Sequence, residues 1–126
     1  MKKILIVDDE SDILLTLGKR LTVAGYSVLT ADNGHDAMSL AKSNHPDLII
    51  LDIVMPGMEG DEVAGKLKEN PQTKNIPVIF LTAILSKSEE LGNNHTVADN
   101  IVFAKPFEAE ELLTEIKTLL CGAATA

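Results

Sequence analysis

A chain with a single cysteine, Cys121, cannot close an internal disulfide, and nothing around that residue suggests a metal site or an activated thiol. The natural inference is a reducing, cytoplasmic setting. Tryptophan is absent, and the aromatics together make up only 3% of the residues. The core must therefore be aliphatic, drawn from the Leu, Ile, Val and Ala that fill much of the 45% hydrophobic fraction. Positive charge is scarce too. Eleven Lys and Arg face nineteen Asp and Glu, a formal net charge of -8. That balance argues against direct binding to nucleic acid, whose backbone is held by clustered basic residues. No long hydrophobic run occurs either. The apolar stretch after Met1-Lys2-Lys3 ends at Asp8, too short for a signal-peptide core or a membrane span.

What is present is an alternation of two kinds of segment. Short, apolar, β-branched runs cover Lys3 to Val7, Ser27 to Ala31, Asp47 to Leu51, Pro77 to Leu81 and Ile101 to Ala104. Between them apolar residues recur at intervals of three and four, as in Ile13, Leu14, Leu17 and Leu21, or Leu112, Leu113, Ile116 and Leu119. Strands that are apolar without alternation are covered on both faces, and helix-sized crossovers between them make the pairing parallel. Gly25 closes the first helix, Ser11 or Asp12 caps its start, and Asn33-Gly34 marks a turn before the second. The 126 residues thus predict one α/β domain over residues 1-121, with five strands, about five helices and a frayed tail over 122-126. Between Thr82 and Ile101 the helical signal is confined to Ser86 to Leu91, which predicts a short or irregular fourth helix.

In an open parallel sheet, ligands bind beyond the carboxyl ends of the strands. Here those ends carry Asp8-Asp9-Glu10, Asp52, Thr82 and Lys105. Singly, each has an ordinary structural use, an Asp after a strand being commonly a cap or turn former. Together they put carboxylates, a hydroxyl and an ammonium into one small volume. Clustered carboxylates repel and call for a cation, and all-oxygen donors favour a hard ion such as magnesium. A Lys and a Thr beside it suit the remaining oxygens of a phosphoryl group, and a carboxylate can attack phosphorus to give an aspartyl phosphate.

Four pieces then resemble, in order and spacing, the receiver domain of two-component response regulators: Ile4-Leu5-Ile6-Val7-Asp8-Asp9-Glu10, Asp47 to Gly60 around Leu51-Asp52, Ile76 to Ala83, and Lys105-Pro106-Phe107. The resemblance implies a flavodoxin-like, doubly wound sheet of order 2-1-3-4-5, the order the chemotaxis member of the family has. It makes Asp52 the phosphoacceptor, with Asp9 binding Mg2+ directly, Asp8 mainly through water and Val54 through its backbone carbonyl. It makes Thr82 the switch hydroxyl, Lys105 the phosphate-pairing lysine and Pro106 the residue after a cis bond. The phosphodonor it implies is a histidine kinase or phosphotransfer protein. The output would pass to a protein target, or to a homodimer, through the face of strand four, helix four, strand five and helix five. No output domain follows in the sequence, so a stand-alone regulator with no membrane partner is expected.

Two departures stand out. The family's switch aromatic, three residues before the lysine, is replaced by Val102, with Phe103 one position later on the other side of the strand. Val54 and Ile84 flank the hydrolytic path without a group to orient water, which predicts slow self-dephosphorylation. His35, His45 and His95 have no metal-ligand spacing. Val54 also stands where haloacid-dehalogenase phosphatases carry a second acid, so no turnover on phosphate esters is expected. The acids after strand one would repel a flavin phosphate. A phosphorylation-independent pseudo-receiver scaffold is the alternative that the unusual output face leaves standing.

Overall fold

The chain folds as an α/β sandwich in which one sheet carries helices on both faces. The computed structural model describes residues 2–52, 60–82, 96–97, 100–104 and 109–125, with side chains at 2–52, 62–81 and 110–120. The elements run β1 (Lys3–Val7), α1 (Ser11–Val23), β2 (Ser27–Ala31), α2 (Gly34–Asn44), β3 (Leu48–Asp52), α3 (Gly60–Glu69), β4 (Val78–Thr82), β5 (Thr96–Val97), β6 (Asn100–Ala104) and α4 (Ala109–Thr125). The sheet order is β2-β1-β3-β4-β6-β5. Its five long strands are parallel and lie in the expected order. The addition is β5, two residues that pair antiparallel with β6 and cover its outer edge.

Strand parity divides the core in two. Leu5, Val7, Ile49, Leu51, Val78 and Phe80 pack with Ala37 and Ala41 of α2 and with Val63, Ala64 and Leu67 of α3. Ile4, Ile6, Leu48, Ile50, Ile79 and Leu81 pack with Leu17 and Leu21 of α1 and with Leu112 and Ile116 of α4. Every residue of β3 is buried, as a central strand covered on both faces requires. Burying a Leu or Ile side chain contributes roughly 1.5–3 kcal/mol, so these two layers are mainly aliphatic, with Phe80 the one fully buried aromatic among the described residues.

The helix ends explain where the strands begin. Past α1 the chain turns through Gly25 at φ 101. Gly25 N–H donates to the Thr22 carbonyl (3.0 Å) and Tyr26 N–H to the Leu21 carbonyl (3.0 Å), the paired bonds of a Schellman motif. Tyr26 and Leu21 also share a core, the apolar contact that goes with this turn. Asn33 caps α2 by accepting from Asp36 N–H at 2.8 Å. At the far end of α2, Lys3 Nζ donates to the Asn44 carbonyl (2.8 Å), and Lys3 N–H donates to Asp47 Oδ2 (2.8 Å). This latch ties the start of β1 to the approach of β3.

Two expectations need adjustment. Neither Ser11 nor Asp12 caps α1: both lie inside the helix, and Glu10 holds the cap position without a side-chain cap bond. The helix α4 continues through Gly122 to Thr125, where a tail was expected. Ala123 and Ala124 are strong helix formers and offset the cost of one glycine, about 1 kcal/mol. The expected short helix at Ser86 to Leu91 lies outside the described residues, so the helices described number four.

Candidate functional site

Parallel register brings the ends of β1, β3 and β4 to one edge. Val7 pairs with Leu51, Asp52 with Leu81, and Thr82 with Ala104. Asp52 is therefore the last residue of the strand beside β1, and Thr82 the last of the strand on its other side. The parity of β3 gives Asp52 the side of the sheet taken by Leu48 and Ile50, which is the α1/α4 side. Asp8 extends the row of Ile4 and Ile6 on that same side. The two carboxylates thus continue neighbouring apolar rows at the point where the rows leave the core.

Burial separates the acids. Asp8 is fully buried and Asp52 is 3% exposed, whereas Asp9 and Glu10 are exposed. The backbone explains the difference. Asp8 N–H donates to the Ala31 carbonyl at 3.1 Å, continuing the β1–β2 pairing one residue past the strand. Its Oδ1 accepts from Glu10 N–H at 2.9 Å, which folds the chain back over Asp8 and starts α1. The first turn of that helix is held by Ile13 and Leu14 N–H donating to the Glu10 carbonyl (3.1 and 3.3 Å).

The result is a trio. Asp8, Asp9 and Glu10 carry carboxylate oxygens all within 4.8 Å of one another. Sequence reasoning named Asp8 and Asp9 as metal ligands but passed over Glu10. The only available signal was the run of three consecutive acids. Asp52, expected among the metal ligands, stands outside the trio as the buried acid of the adjacent strand end. A donor set made wholly of carboxylate oxygens fits a hard divalent cation such as magnesium, and does not fit a soft or imidazole-preferring metal.

Of the remaining predicted residues, Thr82 is placed by its backbone at the end of β4, and Val102 holds the register position beside Phe80, with Phe103 beside Leu81. The register position next to Phe80 is thus held by an aliphatic residue, Val102. Val54, Lys105 and Pro106 lie outside the described residues. His35 and His45 are exposed, and His45 serves as the left-handed C-cap of α2 at φ 48. No helix among the described residues is long and apolar enough to cross a membrane.

Comparison with known proteins bears on this arrangement. Residues 4–117 match the family model described as the response regulator receiver domain. The chain is 39% identical over 119 residues to the phosphate regulon transcriptional regulatory protein PhoB of Pseudomonas aeruginosa, covering 94% of this chain and 52% of that one. It is also 39% identical over 119 residues to the probable transcriptional regulator ycf27 of Cyanophora paradoxa, covering 94% of this chain and 48% of the relative. The chain thus spans about half the length of these curated relatives. Among solved structures, the chemotaxis protein CheY4 of Vibrio cholerae superposes with a TM-score of 0.82 at 33% identity, over 95% of this chain and 99% of that one.

Proposed function

This chain belongs to the response regulator receiver family, and from that premise we propose that Asp52 is its phosphoacceptor, loaded by a histidine kinase or phosphotransfer protein. The observation that carries the assignment is the position of Asp52: a nearly buried carboxylate ending the central strand β3, beside the acidic trio that ends β1. Phosphorylation-dependent signalling is the function of the receiver family.

In the step itself, a carboxylate oxygen of Asp52 attacks the phosphorus of a phosphohistidine. The P–N bond breaks, imidazole leaves, and an acyl phosphate forms. Asp8, Asp9 and Asp52, with the backbone carbonyl of Val54, are the residues that would hold Mg2+. When bound, the ion neutralises charge on the transferring phosphoryl oxygens. Lys105 supplies a positive charge to the same oxygens, and Thr82 a hydroxyl donor. Water later cleaves the acyl phosphate, restoring the carboxylate and releasing inorganic phosphate.

The phosphoryl group adds close to two negative charges and several acceptors to the end of β3. Thr82, at the end of the neighbouring strand, is drawn to it and carries the change toward β6. Such a group biases a two-state equilibrium, and complete reversal requires about 5.5 kcal/mol of differential binding. The signal then passes to a protein target, or to a second copy of the chain, through the β4–β6–α4 side of the molecule. We place this cycle in the cytoplasm. Turnover on phosphate esters is not part of this function, because Val54 replaces the second acid such catalysis needs, and a generic phosphatase assay is expected to show none.

Intact mass after incubation with acetyl phosphate and magnesium tests the central assignment. A gain of one phosphoryl unit is expected, and Asp52→Asn should abolish it. An adduct that persists in Asp52→Asn would displace the acceptor. No adduct from any donor would favour a scaffold that works without phosphorylation.

A further inference from the structure

We propose that the outer edge of β2, with the face of α1 beside it, is a self-association surface. A second copy of this chain pairs there antiparallel, β2 against β2. The two edges of the sheet are unlike. At one, β5 covers β6, whereas among the described residues no strand pairs with the outer side of β2. Backbone bonds fix which groups that leaves. Ser27 N–H donates to the Lys2 carbonyl (2.8 Å) and Asp8 N–H to the Ala31 carbonyl (3.1 Å), so Ser27, Leu29 and Ala31 turn their groups to β1. Alternate residues of a strand serve opposite sides of the ladder, and the N–H and C=O of Val28 and Thr30 therefore point outward. Edge strands are usually blunted by charge, proline or a bulge. The run Ser27 to Ala31 has none of these, and its register with β1 is unbroken.

The edge is complementary to itself. A two-fold axis through Leu29 sets Val28 opposite Thr30 of the second copy, and Thr30 opposite its Val28. Opposed residues of this kind exchange both of their bonds in an antiparallel pair, so every outward group of the two finds a partner. The helix beside the edge fits the same axis. Asp12, Leu15, Lys19 and Val23 line a groove with Val28 and Thr30, and their spacing of three and four makes them one stripe of α1. A Cβ on Gly18 would stand 3.7 Å from Val28 Cγ1, which levels Gly18 with Val28. A helix residue rises about 1.5 Å and a strand residue about 3.3 Å, so Leu29 lies level with Thr16, the helix running the opposite way. Asp12 and Lys19 are then nearly equidistant from the axis on either side. Each Asp12 faces Lys19 of the other copy, with Leu15 between the two pairs. The large apolar side chains most exposed among the described residues, Leu15 and Val23, both belong to this stripe. The pairing depends on the fold alone and not on the chemistry of Asp52. It covers the α1 face, so any other protein that docks there meets the monomer.

Sedimentation of the unphosphorylated chain at about 0.15 M salt, where general repulsion between two acidic copies is screened, should show a concentration-dependent dimer. Thr30→Pro removes an outward N–H and no bond to β1, and it should be monomeric with a melting temperature near that of the parent. Lys19→Glu sets acid against acid at both symmetric contacts and should raise the dissociation constant about tenfold. Asp12→Lys combined with Lys19→Glu should restore it. A parent that stays monomeric up to about 1 mM would overturn the proposal and leave the edge to a strand of another protein. A dimer that survives in folded Thr30→Pro would overturn it too, and place the contact elsewhere, as on the β4–β6–α4 side. Should Thr30→Pro not fold, Lys19→Glu decides: an unchanged dissociation constant, or no recovery in the charge exchange, would refute the pairing.

Discussion

Asp8 and Asp9 are chemically the same residue, adjacent in sequence, yet one is fully buried and the other exposed. Strand parity and the Glu10-to-Asp8 hydrogen bond make that difference, and it sets what each can do. A buried acid held by a backbone N–H keeps a fixed geometry, whereas an exposed one beside it is open to water and an ion. At the same scale, Val54 and Ile84 carry the expectation of a long-lived phosphoryl group. Decay of labelled protein after donor removal should take minutes or longer, and Val54→Asn should speed it. Loss within seconds in the unaltered chain would sink that idea. Thr73 is a purely structural counterpart. Its buried Oγ1 donates to the Leu67 carbonyl at 2.6 Å and so closes the end of α3. Thr73→Val keeps the shape but removes that bond, leaving the Leu67 carbonyl the longer one from Asn70 N–H (3.3 Å), and urea unfolding should show a loss of about 0.5–1.5 kcal/mol.

Among the elements, α1 has the largest share in the site, since its first turn closes over Asp8 and its Schellman end aims the chain into β2. Gly25 sits at φ 101 with nothing within 4 Å of a would-be Cβ, so the cost of a side chain there is conformational, not steric crowding. Gly25→Ala should lower stability by about 1–2 kcal/mol, as a left-handed backbone does for any L-residue, again read from chemical unfolding. The outer face of the same helix leaves Leu15 61% and Val23 89% exposed. If the phosphodonor proposed above docks on this side of the helix that departs from the acceptor edge, these two side chains would form part of the contact. Leu15→Asp with Val23→Asp should slow transfer from the cognate kinase and leave labelling by acetyl phosphate unchanged. An equal loss with both donors would show instead that α1 had been damaged. On the opposite edge, β5 covers the outer side of β6 with two antiparallel residues, a short strand that occupies groups an open edge would offer to another chain.

At the scale of the whole molecule, two aliphatic layers carry the fold and the charge works against it. A formal net charge of -8 on 126 residues repels itself most where the acids converge, at the carboxyl edge of the sheet. Salt screens that repulsion over a Debye length of about 10 Å at 0.1 M. The melting temperature is therefore expected to rise between low and moderate NaCl in metal-free protein, and to rise less once Asp52→Asn has removed one charge from the edge. A melting temperature that falls with salt would show that attractive pairs outweigh the repulsion. The family match over residues 4–117 covers both layers and the whole acceptor edge.

Much of this was already determined by the amino-acid sequence. Short β-branched runs and a period of 3.6 separate strands from helices, continuous apolar runs mark strands buried on both faces, and crossovers of helix length make the pairing parallel. Once the pairing is parallel, the strand-end residues Asp8, Asp9, Asp52 and Thr82 must gather at one edge, whatever the details of packing. Other features needed three dimensions. The cap of α1 fell to Glu10, because the bond from its N–H to Asp8 starts the helix one residue sooner than Ser11 as cap would have, and two sooner than Asp12. The strand β5 exists only through pairing with β6, since two residues carry no periodicity. Above all, the division of three consecutive acids into one buried and two exposed was invisible in the run Asp8-Asp9-Glu10. Sequence specifies which groups reach the edge, but which of them water can reach depends on what packs over them.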